Sequence, residues 1–117
     1  MENLVSKQIV GIQLSAVTFV MNYYQFRFDG PYFNVLTSVK VESASSLTLA
    51  ISGDDQFRNL VCAQIGKIVR SVCVRDEDAI TITFEDSSQI HFSLKEKEFL
   101  GSEAVIYYGN DGEWGYF

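Results

Sequence analysis

The chain has 117 residues, of which 47% are hydrophobic and only one is proline, a composition typical of one folded domain rather than of a disordered segment. Its formal net charge of −6 excludes nucleic acid from the expected partners, because no basic surface is available to release counterions from the phosphates. Nine Phe, six Tyr and one Trp favour β-sheets, on whose pleated surface aromatic side chains pack well. We therefore expect a single domain over residues 1–117.

The N-terminal segment has one lysine followed by an apolar run that is interrupted by Gln13, Ser15 and Thr18. Such a run is too polar for a signal peptide or a transmembrane helix. We therefore expect a cytoplasmic protein with no membrane partner. Residues 9–21 are predicted to form the first strand.

The next elements are strands separated by turns. A strand at 24–29 ends at Gly30-Pro31, where proline is preset for a turn. Alternating apolar residues then predict one long strand over residues 33–41 and a further strand at 47–51. The loop at 52–55 is expected to separate the two halves of the chain.

The second half begins with a predicted helix over residues 55–65. Asp54 or Asp55 is expected to cap its start, and Gly66 is a natural residue just beyond its end. Further strands are predicted at 67–75, 79–85, 89–94, 103–108 and 113–117. The last two form a closing hairpin.

The two halves resemble each other in sequence. Residues 3–15 read NLVSKQIVGIQLS, and residues 59–71 read NLVCAQIGKIVRS. The identical pairs are Asn3/Asn59, Leu4/Leu60, Val5/Val61, Gln8/Gln64, Ile9/Ile65, Ile12/Ile68 and Ser15/Ser71. This predicts two internal repeats, at about 3–52 and 55–117.

Each predicted repeat is an antiparallel meander with one apolar face. A lone small sheet would leave that face in water, so the two repeats are expected to pack face to face. The predicted fold is mainly β (α+β): two tandem antiparallel β-meander repeats packed as a small sandwich or partly open barrel, with one short helix near 55–65. The two cysteines, Cys62 and Cys73, are expected to be buried free thiols.

Three segments of the chain resemble a known family. They are VTFVMNYYQFRFDGP (17–31), ITFEDSSQIHFSL (82–94) and FLGSEAVIYY (99–108). The family consists of small, mostly uncharacterised bacterial proteins in which a strand–strand–FDG unit occurs twice and a GPEA-like segment precedes the last strand. Here that segment reads Gly101-Ser102-Glu103-Ala104, with serine where proline is common.

The resemblance covers most of the chain, but its motifs describe turns and strand patterning, so it implies no catalytic residues. Some small proteins of this general kind look like immunity proteins, which bind and block a cognate toxin. By this analogy of type, the resemblance implies a bacterial protein whose partner is another protein.

Catalytic chemistry is poorly represented in the sequence. His91 is the only histidine, and alternation places it on the outer face of its strand. A triad with Ser93 or Ser88 and Glu85 can be drawn, but residues adjacent on one strand rarely supply nucleophile, base and acid in line. We therefore expect that the protein is not an enzyme and needs no cofactor.

Acidic residues cluster in several turns and could in principle hold a divalent cation. The clusters are Asp54/Asp55, Asp76/Glu77/Asp78, Glu85/Asp86 and Asp111/Glu113. None has the spacing of a calcium-binding hand, and acidic turns are ordinary in hairpins. No metal site is therefore predicted.

The C-terminal segment YYGNDGEWGYF allows two interpretations. Its aromatic side chains either close the core or form an exposed cluster with an acidic rim, which is the composition of a protein-binding hot spot. The candidate protein-interaction residues are Tyr23, Tyr32, Asp76, Glu77, Asp78, Tyr108, Asp111, Glu113 and Trp114.

The favoured hypothesis is a non-enzymatic bacterial protein-interaction domain, for which an immunity protein that neutralises a basic toxin is one example. A small-ligand or divalent-metal-binding module that uses the space between the sheets is the alternative. A homodimer formed through the aromatic residues or free sheet edges is a third possibility.

Overall fold

The computed structural model describes all residues, 1–117. Two α-helices are present, α1 (Glu2–Ile9) and α2 (Phe57–Cys62). The strands are β1 (Ala16–Val20), β2 (Tyr23–Arg27), β3 (Tyr32–Val35), β4 (Val39–Ser43), β5 (Thr48–Ile51), β6 (Val69–Arg75), β7 (Ala79–Phe84), β8 (Gln89–Ser93), β9 (Val105–Tyr108) and β10 (Trp114–Tyr116). Short 3₁₀ turns lie at Glu96–Glu98 and Asn110–Gly112.

The strands form two five-stranded antiparallel sheets that pack face to face. The first sheet has the order β1-β2-β3-β9-β10 and the second the order β5-β4-β8-β7-β6. The core between them is rich in aromatic rings, and its largest fully buried side chains are Tyr107, Phe26, Phe28, Phe33, Phe84 and Phe92. The predicted mainly β sandwich is therefore confirmed, and neither sheet closes into a barrel.

Each sheet combines strands from both halves of the chain. The first half supplies β1, β2 and β3 to the first sheet and β4 and β5 to the second, while the second half supplies β6, β7 and β8 to the second sheet and β9 and β10 to the first. Exchanging β1–β5 with β6–β10 turns one strand order into the other. The picture of two separate meander sheets is therefore wrong, because each half passes its last two strands to the other sheet.

The long strand predicted at 33–41 is in fact two strands in different sheets. β3 ends at Val35 and pairs with β9, whereas β4 begins at Val39 and pairs with β8. Thr37, between them, is only 1% exposed. The apolar alternation continues from β3 to β4 because every second side chain stays in the core while the chain passes from one sheet to the other.

The strand predicted at 9–21 is confirmed only at Ala16–Val20, because α1 occupies the chain up to Ile9, a turn follows at Gly11, and Gln13 forms only an isolated bridge with Ile68. Val5 and Ile9 are fully buried and lie four residues apart, which is a helical spacing. Gly11, with φ of +85°, lets the chain leave the helix, as Gly66, with φ of +95°, does after α2. The shared sequence thus has a helix in both halves; a common origin of the halves stays a prediction.

The two helices cover opposite sides of the sandwich. On one side, the Glu2 carboxylate of α1 accepts a hydrogen bond from the Val74 amide at the β6 edge (3.1 Å). On the other, α2 contacts β4 and β5, and its Phe57 ring lies 5.5 Å from that of Tyr24. Both helices therefore protect sheet edges. Neither has the length and apolarity needed to cross a bilayer.

The helix predicted near 55–65 is confirmed as α2, but its predicted cap is not. The residue before α2 is Gln56, and no side chain caps the helix. The carboxylate of Asp54 instead accepts a hydrogen bond from the Ile51 amide (2.9 Å), which closes the preceding turn.

Both cysteines are free, as predicted, but exposed rather than buried. Cys62 follows the buried Val61 on α2 and so turns away from the core, and Cys73 alternates with the inward Val72 on β6. The apolar neighbours in the sequence misled the prediction, because the helical turn and the strand alternation each place the thiol on the opposite face.

The hydroxyl group of Tyr107 links β9 to α1. It is fully buried and donates a hydrogen bond to Gln8 Oε1 (2.6 Å). Burial, assisted by the negative charge of Glu113, raises the pKa of Tyr107 from 10.0 to about 12. The folded protein therefore retains this proton at a pH at which the unfolded chain has lost it.

We expect the free energy of unfolding to fall in alkali, because the folded state keeps this proton while the unfolded state loses it. The contribution of Tyr107 to the free energy of unfolding is fully present below pH 10 and is lost as the pH rises towards about 12, because only the unfolded state ionises in that window. Urea unfolding of the wild type and of Tyr107→Phe at pH 8 to 12 measures this. The pH dependence of the variant should be shallower, and identical slopes would contradict the assignment.

Candidate protein-binding face

The outer face of the first sheet carries a row of large side chains. Its cross-strand neighbours, in order, are Arg27, Tyr32, Tyr108 and Trp114. They point outward because the strand residues beside them, among them Phe26, Phe33 and Tyr107, are fully buried. We call these four residues the aromatic row.

Three members of the aromatic row are stacked on one another. The Arg27 guanidinium carbon lies 4.4 Å from the centre of the Tyr32 ring, in cation–π geometry. The Tyr32 and Tyr108 rings are 4.9 Å apart and inclined by only 22°. Trp114 ends the row and is 62% exposed. Since neighbouring strands are ~4.8 Å apart, the row spans about 14 Å of surface.

Polar contacts hold the basic end of the row in place. Arg27 donates hydrogen bonds to the carbonyl oxygen of Gly30 (3.0 Å) and to Gln25 Oε1 (3.3 Å). Gln25 in turn donates to Asn34 Oδ1 (3.1 Å). A partner would therefore meet an ordered surface, and little side-chain entropy would be lost on binding.

A second cross-strand row extends the apolar surface beside the first. It includes Ile106 and its partner Tyr116, which is 61% exposed. Together with Trp114, Tyr116 is among the most exposed large side chains of the protein. The outer face of β9 and β10 is therefore aromatic without being covered by any other element.

Acidic residues border the same end of the sheet. A Cβ on Gly30, in the FDG turn, would lie 3.2 Å from Asn110 Oδ1, so this turn and the loop before β10 are neighbours. Asp29 and Asp111 occupy these two segments with φ of +57° and +58°, a conformation that aspartate tolerates better than most residues. The carboxylates of Asp29 and Glu113 accept hydrogen bonds from Gln13 Nε2 (3.3 Å) and Gln8 Nε2 (2.8 Å), so of these three carboxyl groups only that of Asp111 has no side-chain partner.

The C-terminal aromatic residues divide between the two predicted interpretations. Tyr107 is part of the core and Phe117 packs against it, whereas Trp114 and Tyr116 face solvent. Alternation along β9 and β10 separates them. Tyr108 also faces outward, so the core-closing interpretation is right for two of the five aromatic residues of this segment and wrong for the other three.

The structure brings together only some of the predicted interaction residues. Tyr32, Tyr108, Trp114, Asp111 and Glu113 share one end of the first sheet. Sequence reasoning missed Arg27, which becomes a member of this face only through strand pairing, and left Tyr116 out of the candidate residues although its segment was discussed. The one signal for Arg27 was its place between the inward-facing Phe26 and Phe28.

The other predicted residues lie elsewhere. Tyr23, at the opposite end of β2, lines a cleft of about 440 Å³ with Phe19 and Phe57. The residues Asp76, Glu77 and Asp78 form the turn between β6 and β7 in the second sheet, with φ of +62° at Glu77.

His91 faces outward on β8, as predicted, but with partners other than those considered. Its Nδ1 lies 2.8 Å from the Thr81 hydroxyl and its Nε2 lies 2.6 Å from Glu42 Oε2. Ser88 is fully buried and accepts a hydrogen bond from the Ala44 amide. The triad drawn from the sequence is therefore not assembled.

The chain Thr81–His91–Glu42 has the order of hydroxyl, imidazole and carboxylate. Acyl transfer also needs preorganised donors for an oxyanion, most often free backbone N–H groups. Here the three residues lie within the strands β7, β8 and β4, where the backbone amides serve the sheet ladders. We therefore interpret these hydrogen bonds as orienting His91.

Beside the second sheet, Asp86 forms a local ionic network. Its Oδ2 lies 2.8 Å from Lys67 Nζ, and its Oδ1 accepts a hydrogen bond from the Ser88 amide (2.8 Å). Desolvation opposes ionisation, but the contacts with Lys67 and Ser88 outweigh it and lower the pKa of Asp86 below its usual 3.8. This network stabilises the β7–β8 turn and occupies both carboxylate oxygens of Asp86.

No group of three or more His, Cys, Asp or Glu side chains is close enough to hold a metal ion. The acidic clusters named from the sequence lie in separate turns.

The chain matches no protein-family model, no curated protein and no solved structure. The resemblance to the bacterial FDG-repeat family therefore rests on its motifs and stays a prediction.

Proposed function

We propose that the chain is a non-catalytic protein-interaction domain that binds its partner with the outer face of the first sheet. The observation that supports this most directly is the aromatic row, with Trp114 at 62% exposure and the stack of Arg27, Tyr32 and Tyr108 beside it. Trp, Tyr and Arg are the residues enriched in protein-binding hot spots. A flat aromatic surface suits a protein better than a small molecule, which prefers a concave site.

The partner we propose is a basic protein. The chain has a net charge of −6, and Asp29, Asp111 and Glu113 lie in turns at the same end of the first sheet as the aromatic row. Charges at the rim of an interface steer association and select partners of opposite charge. A basic toxin neutralised by an immunity protein is such a partner, in line with the type of protein that the family resemblance implies.

The test begins with purified basic proteins encoded by the genes next to that of this chain. We expect one of them to form a complex detectable by isothermal titration calorimetry. Trp114→Ala should weaken that complex at least about tenfold, since truncating a hot-spot tryptophan of an interface costs more than about 1.4 kcal/mol. Circular dichroism should show an unchanged fold, because Trp114 is largely exposed.

Tyr23→Ala is the matched control, since it removes an aromatic side chain from the opposite end of the same sheet. Its dissociation constant should stay within about twofold of the wild type. A complex that tolerates Trp114→Ala but not Tyr23→Ala would move the binding face to the cleft beside Tyr23. Absence of any complex with the neighbouring gene products would argue against the proposed partner.

A further inference from the structure

A polar groove of about 320 Å³ lies on the outer face of the second sheet, away from the aromatic row. Strand pairing explains its shape. Ala79 is paired with Ser93 on one side and with Arg75 on the other, so two small side chains form the floor of the groove. Lys40 and His91, which are cross-strand neighbours, line it beside them.

The groove is basic in an otherwise acidic protein. Three of the nine Lys and Arg residues of the chain line it: Lys40, Arg75 and Lys95. Two carboxylates, Asp78 and Glu98, are also present. The formal charge of the lining residues is therefore +1, with the Glu42 carboxylate just outside the groove on His91, whereas the chain as a whole carries −6.

Both carboxylates and one of the cations already have partners. Lys95 Nζ lies 4.0 Å from Asp78 Oδ1, and Glu98 accepts a hydrogen bond from the Ser93 hydroxyl (2.7 Å). By contrast, Lys40 and Arg75 make no salt bridge and no side-chain hydrogen bond. The unpaired positive charge of the groove thus belongs to these two residues.

Lys40 has no ion-pair partner because Glu42, the nearest acidic residue on its strand, is bound to another residue. Glu42 also faces outward on β4, but its carboxylate is bound to His91 Nε2 at 2.6 Å. Thr81 holds the other ring nitrogen at 2.8 Å. His91 is therefore fixed between two partners, and the ammonium group of Lys40 is left free for a ligand.

We propose that this groove binds the oxyanion group of a small molecule, a phosphate or a carboxylate, through Lys40 and Arg75. A guanidinium group matches the geometry of either oxyanion with two parallel hydrogen bonds, and an ammonium group adds a point charge. The hydroxyl of Thr81 and the ring of His91 form the adjoining wall. This site is independent of the protein-binding face on the first sheet.

The only histidine of the chain provides the readout. Its imidazole proton signals in the NMR spectrum are recorded while inorganic phosphate, and separately succinate, is added at constant pH and ionic strength. We expect a saturable shift with at least one probe. Lys40→Ala and Arg75→Ala should each raise the dissociation constant about tenfold or more, because each removes a charge-assisted contact.

Lys7→Ala is the control for net charge, since Lys7 is exposed on α1 and does not line the groove. It should leave the dissociation constant within about twofold, as should Trp114→Ala on the other sheet. Saturation by phosphate alone identifies a phosphate ligand, and saturation by succinate identifies a carboxylate. A shift that never saturates, or one that Lys40→Ala and Arg75→Ala leave unchanged, overturns the proposal.

Discussion

Replacing Phe33 with alanine is expected to lower the free energy of unfolding by about 3–5 kcal/mol, the cost of removing a fully buried aromatic side chain. Phe33 is 0% exposed and lies at the centre of the core. Its ring is 4.9 Å from that of Tyr107 in the same sheet and 5.4 Å from that of Phe92 in the other. Truncation would therefore leave a cavity between the two sheets that neither can fill without moving.

Tyr32→Ala is the matched control, because Tyr32 precedes Phe33 in β3 but faces outward. It loses only its stacking on Tyr108 and the contact with Arg27, so we expect a cost of about 1 kcal/mol. Chemical denaturation followed by Trp114 fluorescence or circular dichroism measures both variants. Equal losses of stability would show that the two faces of β3 are not distinguished as the structure requires.

Replacing Gln8 with leucine is expected to cost about 2 kcal/mol of stability, because it leaves a buried hydroxyl group without an acceptor. Gln8 Oε1 accepts the hydrogen bond from Tyr107, whose side chain has no access to solvent, and Gln8 Nε2 donates to Glu113 Oε1 (2.8 Å). These contacts join α1 to β9 and to the segment before β10. Leucine has a similar size but can make neither.

The double variant Gln8→Leu/Tyr107→Phe tests this reason for the loss. Removing both partners of a buried hydrogen bond costs less than removing one, so the double variant should be more stable than Gln8→Leu alone. If it is less stable by the sum of the two single effects, the hydrogen bond is not what joins α1 to the sheet.

The effect of Gln64→Leu on stability can be compared with that of Gln8→Leu, since Gln64 aligns with Gln8 in the predicted repeats. Gln64 is fully buried, yet its Oε1 has no hydrogen-bond partner, and its Nε2 donates only to the carbonyl oxygen of Leu60 (3.0 Å). We expect Gln64→Leu to be neutral or stabilising by up to about 1 kcal/mol, opposite in sign to Gln8→Leu.

Much of the second half of the fold was predictable from local pattern. The strands β7 and β8, with their alternating buried residues, and the hairpin of β9 and β10 lie where the sequence placed them. The helix α1 was missed because the first strand was predicted to begin at Ile9 and the residues before it were assigned to no element. A short apolar segment fits either a helix or a strand, and its length alone does not decide between them.

The candidate site was predictable only in part. Tyr108, Trp114, Asp111 and Glu113 lie close together in the sequence, and one hairpin suffices to bring them to one end of the sheet. Arg27 could not be found in this way, because it joins them only through the pairing of β3 with β9.

The sequence by itself determined the class of fold, the positions of most turns and which face of most strands is buried, because these follow from the spacing of apolar side chains along the chain. Only the tertiary structure decided which strands are neighbours. Backbone hydrogen bonds are the same for every residue, so they do not select β9 over β4 as the partner of β3. The strand order is selected because it buries both apolar faces in a single core. The same strand order brings together the residues of the aromatic row and of the groove on the second sheet.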